Sequence, residues 1–220
     1  MLSIVLTGAT LLSGSKNAAL PEKDIDGTIF LVNRQHVISE QYVPEPLRKT
    51  QVYGMSQSMR EDAATALEEL FQAAQADGIK LSSVSGYRSY SKQSLLYDRK
   101  TKRTGSETEA DKLVARPGAS EHQLGLAMDL ATRNSSTLSE KFGSTPEGQW
   151  VYANCQRFGF IVRYLKGYED VTGYSFEPWH IRYVGPEHAE AIAASGLPLE
   201  TYLSGWKLEL YDYLIHQAMN

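Results

Sequence analysis

The 220-residue chain contains one cysteine, Cys155. It can form no intrachain disulfide and build no cysteine-based metal site. Any metal must therefore take histidine and carboxylate ligands. A basic run is missing as well. Lys plus Arg total 22 against 26 for Asp plus Glu, a formal net charge of −4, so no nucleic-acid partner is expected. Long apolar runs are scarce too. Residues 2–12 form the most apolar stretch, which is too short to span a bilayer, and no tight membrane insertion is expected. Small residues follow it, as in a secretory leader, but no Lys or Arg precedes Lys16. The expectation is a signal-like leader and linker over 1–27, with an N-terminal extension as the alternative.

What remains is ordinary for one sizeable globular domain. Hydrophobic residues make up 42 %, enough for a real core. Thirteen tyrosines suit a cleft that takes sugars or peptides. Cys155 shares i, i+4, i+7 spacing with Val151 and Phe158, so it reads as a core thiol.

Residues 28–32 read as a strand that opens the folded part. Ala63, Leu67, Leu70, Phe71 and Ala74 predict a helix over about 56–76, with Gly78 as its cap. Residues 81–85 predict a strand. A second helix starts near Ser89 or Ser91 and carries Gln93, Leu96 and Tyr97. Residues 101–118 read as a loop and 124–131 as a strand. Thr145-Pro146 opens a helix that runs to about Phe158. Strands over 159–163 and 180–184 and a last helix after Pro186 complete the order. Elements without regular βαβ alternation argue for α+β, with a small, largely antiparallel sheet and flanking helices. The domain is expected over 28–204, and 205–220 has no assigned role.

Three segments carry the chemistry. In a strand through Gly125-Leu126-Ala127-Met128-Asp129-Leu130, Asp129 shares a face with Gly125 and Ala127. Small neighbours leave open space before its carboxylate. His122 precedes the strand and can fold over that face. In Glu177-Pro178-Trp179-His180, the proline is expected to fix a turn that keeps Glu177 near His180. Two histidines and one carboxylate make a common catalytic zinc set with a fourth position for water. Glu177 is the candidate to move that water's proton. Each motif alone is weak. His36, His188 and His216 lack such context and read as structural. In Ser85-Gly86-Tyr87-Arg88, the arginine stands at a strand-to-helix corner. It can present a planar fork to a carboxylate or an oxyanion, or serve a surface ion pair.

Together these segments resemble the VanY/LdcB group of D-alanyl-D-alanine and L,D-carboxypeptidases, zinc peptidases related in fold to the Hedgehog signalling domain. The group's Ser-x-His-x-x-Gly-x-Ala-x-Asp motif is matched by Ser120, His122, Gly125, Ala127 and Asp129. Its Glu-x-x-His is matched by Glu177 and His180, and its Ser-Gly-Tyr-Arg by residues 85–88. The resemblance implies one zinc held by His122, Asp129 and His180, with Glu177 as catalytic base. It implies substrate contacts from Arg88, Gln93, Ser120 and Tyr164, with Trp179 beside them. It also implies a peptidoglycan stem peptide as substrate, in the cell envelope. An endopeptidase of the same fold and a non-catalytic zinc-containing binding module are the alternatives.

Overall fold

The computed structural model describes residues 27–205. The leader-like segment before them and residues 206–220, with His216, lie outside that range. The architecture is α+β. β1 (Leu47–Lys49) and β2 (Ser58–Arg60) form a two-stranded antiparallel ribbon. β3 (Leu81–Ser85), β4 (Ala127–Thr132), β5 (Phe160–Tyr164) and β6 (Glu177–Tyr183) form a second, wholly antiparallel sheet, ordered β3-β4-β6-β5. The helices are α1 (Glu61–Ala76), α2 (Tyr90–Thr104), α3 (Glu107–Asp111), α4 (Pro146–Asn154), α5 (Glu169–Thr172) and α6 (Pro186–Ser195). A further helical segment covers 199–205.

α1 forms because Ala63, Leu67, Leu70 and Ala74 repeat along one face, and all four are buried. Glu61 and Asp62 suit the positive end of its dipole. That face shares one core cluster with Met128, Leu130, Phe160, Val162 and Ile181 of the large sheet. Burying a leucine such as Leu67 contributes about 1.5–3 kcal/mol. Ile161, between Phe160 and Val162, points the other way. It joins Val184, Ala189, Ile192, Leu199 and Leu203 in a second cluster that seats α6. Cys155 is buried in the main core with Val151.

Several expected boundaries move, each for a physical reason. Residues 28–32 form no strand. The Thr28 and Phe30 carbonyls instead accept hydrogen bonds from the Arg182 guanidinium. α1 starts at Glu61 because Ser58–Arg60 pair with β1. The loop expected over 101–118 is partly helical. α2 continues to Thr104, where Gly105 closes it at φ 71, and Ser106 caps α3 by accepting from Glu109 N. The strand expected from 124 begins at Ala127, because Glu121–Leu124 is a 3-10 turn ended by Gly125. Pro178 makes no turn. It lies inside β6, where the register with β5 shifts between Val162 and Tyr164 and beyond the residues that pair with β4. An irregular pairing site tolerates a residue without an N–H.

Candidate metal centre

The register of the central strands builds the site. Asp129 of β4 lies directly opposite His180 of β6. Met128 and Leu130 point into the core, so Asp129 faces the other side of the sheet. Gly125, at φ 69, turns the chain from the His122 turn into β4. That left-handed backbone favours glycine, and a Cβ there would also sit tightly, 3.1 Å from the Arg60 backbone nitrogen. Asp129 Oδ1 lies 3.0 Å from His180 Nδ1, and Asp129 Oδ2 lies 3.3 Å from His122 Nε2. The donor atoms of all three buried residues fall within 4.8 Å of one another. Two imidazole nitrogens and a carboxylate oxygen so placed fit a zinc ion.

The electrostatics follow from burial and close charges. Burial, with Arg88 nearby, pushes the His122 pKa down to about 4. Burial also opposes charge on His180, but hydrogen bonds to Asp129 and Glu121 carry its pKa up to about 9. A cation bound among the three donors would take the place of that proton. Despite burial, the two histidines hold Asp129 well below the usual carboxylate range. Glu177 lies across from Tyr164, with Oε2 3.9 Å from His180 Nδ1. Burial pushes its pKa up to about 7, with His180 and Arg88 opposing the rise and Asp129 adding to it. A carboxyl group near neutrality beside a metal site suits proton transfer.

Arg88 is anchored rather than loose. Its Nε donates to Gln93 Oε1 at 2.9 Å and its Nη1 to Ser85 Oγ at 3.0 Å. Nη1 also lies 3.6 Å from Asp129 Oδ2. A cleft of about 420 Å³ opens over the three donors. Arg88, Ser120, Tyr164, Glu177 and Trp179 line it, as do Lys100 and Glu140, which the sequence did not single out. Gln93 is fully buried. Its amide nitrogen donates to the Ala115 carbonyl at 2.7 Å, and its oxygen serves Arg88. The structure therefore brings Gln93 to Arg88 rather than to the cleft surface. A groove of about 660 Å³ at Tyr53 and Arg133 is larger, but no histidine or carboxylate lines it. His36 and His188 have local partners in Asn33 and Tyr202.

Sequence reasoning passed over the charges behind the site. Glu121 is buried between Arg163 and Arg182 and reaches His180. Arg163 sits among Phe160, Ile161, Val162 and Tyr164, and Arg182 follows the core residue Ile181; a buried charge in such strands demands a partner. That was the available signal.

Three buried donors with a carboxylate beside them are the groups a zinc hydrolase uses. The chain belongs to the family described as VanY, D-alanyl-D-alanine carboxypeptidase, whose family model matches residues 56–186. A D-alanyl-D-alanine carboxypeptidase of Enterococcus faecalis is 42 % identical over 188 residues, which cover 80 % of this chain and 66 % of that protein. The chain thus spans about two thirds of that relative's length. The solved LdcB LD-carboxypeptidase is 42 % identical with a TM-score of 0.78, covering 83 % of this chain and 88 % of that one. Two VanY structures, one with D-alanine-D-alanine and one with Zn(II), are each 38 % identical with a TM-score of 0.70. They cover 80 % of this chain and 97 % and 98 % of theirs.

Proposed function

We propose that the chain is a zinc-dependent carboxypeptidase of the bacterial cell envelope that removes the terminal D-alanine from peptidoglycan stem peptides. The observation that carries this reading is the convergence of His122, Asp129 and His180 with Glu177 beside them. The family and the Zn(II)-bound relative support it. In this reading residues 28–204 are the peptidase unit, 1–27 lead it to the envelope, and 205–220 extend it.

His122 Nε2, His180 Nδ1 and a carboxylate oxygen of Asp129 would hold the ion. When bound, zinc lowers the pKa of an adjacent water toward about 7 and polarises the scissile carbonyl. Glu177 Oε2 accepts the proton of the attacking water and returns it to the leaving amine of D-alanine. Arg88, held from behind by Gln93 and Ser85, pairs with the substrate's terminal carboxylate. Ser120, Tyr164 and Trp179 enclose the rest of the peptide end. Burial around Glu177 limits competing solvent and keeps its proton exchange near neutral pH.

The test is incubation with tetrapeptide and pentapeptide stems, followed by assay of free D-alanine. Release of D-alanine as the sole small product is expected. Cleavage inside the stem without free D-alanine would move the assignment to the endopeptidase.

A further inference from the structure

Glu121 sits inside the Ser120-Glu121-His122 run, yet the reaction above does not use it. It is 1 % exposed. Its Oε1 accepts from Arg163 Nε at 2.7 Å and from Arg182 Nη1 at 2.8 Å. Its Oε2 faces His180 Nε2 at 3.4 Å. We infer that Glu121 is a positioning residue of the metal centre. Its carboxylate keeps the proton on His180 Nε2 and thereby directs the Nδ1 lone pair toward the metal. The inference rests on His180 being a metal ligand.

The two ligand histidines present different nitrogens, and their outer partners explain why. His122 Nδ1 lies 2.8 Å from the Gly86 carbonyl, so Nε2 is the nitrogen turned to Asp129. His180 is reversed, with Nδ1 toward Asp129 and Glu177 and Nε2 toward Glu121. A carbonyl and a carboxylate both accept hydrogen bonds. Each outer nitrogen must then carry the proton, and each inner one keeps a lone pair for an ion. His122 and Tyr164 pack on the His180 ring, but among the described residues Glu121 is the hydrogen-bond partner given to Nε2, so its loss releases the tautomer.

Burying a carboxylate here is costly unless it is fully paired. The two arginines supply that pairing, and their own charge is balanced. Arg163 also donates from Nη1 and Nη2 to the Glu200 carboxylate, at 2.8 and 2.6 Å. Two guanidiniums thus face two carboxylates, so the network adds no net positive charge that would repel a cation at Nδ1. Arg182 donates as well to the Thr28 and Phe30 carbonyls, at 2.8 and 2.9 Å. The brace behind His180 therefore reaches residues on both sides of the 56–186 stretch that the family model matches.

The test has two arms on the full chain. In the wild-type, zinc-loaded protein, long-range ¹⁵N–¹H correlation spectra of the imidazoles identify which His180 nitrogen bears the proton. A protonated Nε2 and a metal-bound Nδ1 are expected. In Glu121→Gln, which keeps the side chain's size and removes its charge, zinc affinity should fall by about 10–100-fold, the usual effect of losing a ligand's outer partner. The visible spectrum of the cobalt-substituted variant should shift with it, a change that a purely structural role would not produce. Metal on His180 Nε2 in the wild type overturns the inference, as do unchanged zinc affinity and cobalt spectrum in Glu121→Gln. If two arginines left with one fewer carboxylate prevent that variant from folding, the wild-type spectra decide alone. A wild type that binds no zinc, or a His180→Ala protein that keeps it, overturns the ligand reading itself; loss confined to the Glu121 arms leaves that reading standing.

Discussion

Asp129 and His180 face each other across β4 and β6, with Oδ1 3.0 Å from Nδ1, although 51 residues separate them in the chain. Both are fixed by the hydrogen-bonded ladder of the sheet rather than by a loop. A site built on such elements is held to tighter tolerances than one on loops. The proposed roles of the surrounding residues lead to separate outcomes.

Glu177→Gln keeps the shape of the side chain and removes its basic oxygen. Because Glu177 stands beside the donor set and outside it, zinc content should stay at the wild-type level. Turnover should drop by about 10²–10⁴-fold, the usual contribution of a general acid-base group. Metal analysis together with kcat checks this. Loss of zinc would make Glu177 a ligand.

Arg88→Lys should lower kcat/KM strongly on a peptide with a free terminal carboxylate, because an ammonium cannot reproduce a bidentate fork. It would also leave Gln93 Oε1 without its donor. An amidated peptide should be a poor substrate for the wild type, and the substitution should change its hydrolysis little. Steady-state kinetics on the peptide pair check this. Equal losses on both peptides would place Arg88 at the oxyanion instead.

Gly86→Ala tests the corner that carries both Arg88 and the carbonyl facing His122. An added Cβ would lie 2.6 Å from the Ser58 carbonyl oxygen, a backbone atom that cannot move freely. Such overpacking should cost about 1–3 kcal/mol. Urea unfolding should show a lower midpoint with an unchanged slope, and zinc affinity should fall as well, since Gly86 O orients His122.

Much of this was legible before the structure. Ala63, Leu67, Leu70 and Ala74 announce α1 through their spacing alone, and the alternation Met128-Asp129-Leu130 correctly puts the carboxylate opposite the core. Pro178 misled because proline usually marks a turn, and only the pairing with β5 reveals an irregular site that accepts it. Residues 28–32 have strand composition, but a side chain 152 or more positions away takes two of their carbonyls. The Glu121 network was hidden for the same reason. Its pairs span 42 and 61 positions, and no local pattern encodes such a distance.

Cys155 gives a pH prediction. Burial pushes its thiol from an ordinary 9.0 up to about 12. Native protein should therefore react with a thiolate-specific reagent at pH 8 far more slowly than protein unfolded in guanidinium. The unfolded thiol ionises above pH 9 while the folded one stays protonated, so this contribution is present below pH 9 and lost as pH rises toward about 12. Cys155→Ala should remove that alkaline component from a series of unfolding curves.

The most direct measurement is a zinc titration of metal-stripped protein, with D-alanine release from a stem peptide followed at each step. The stripped protein should be inactive. Activity should rise linearly and level off at one zinc per chain, and His180→Ala should stay inactive throughout. Release of D-alanine at full rate without metal, or by His180→Ala, would contradict the account.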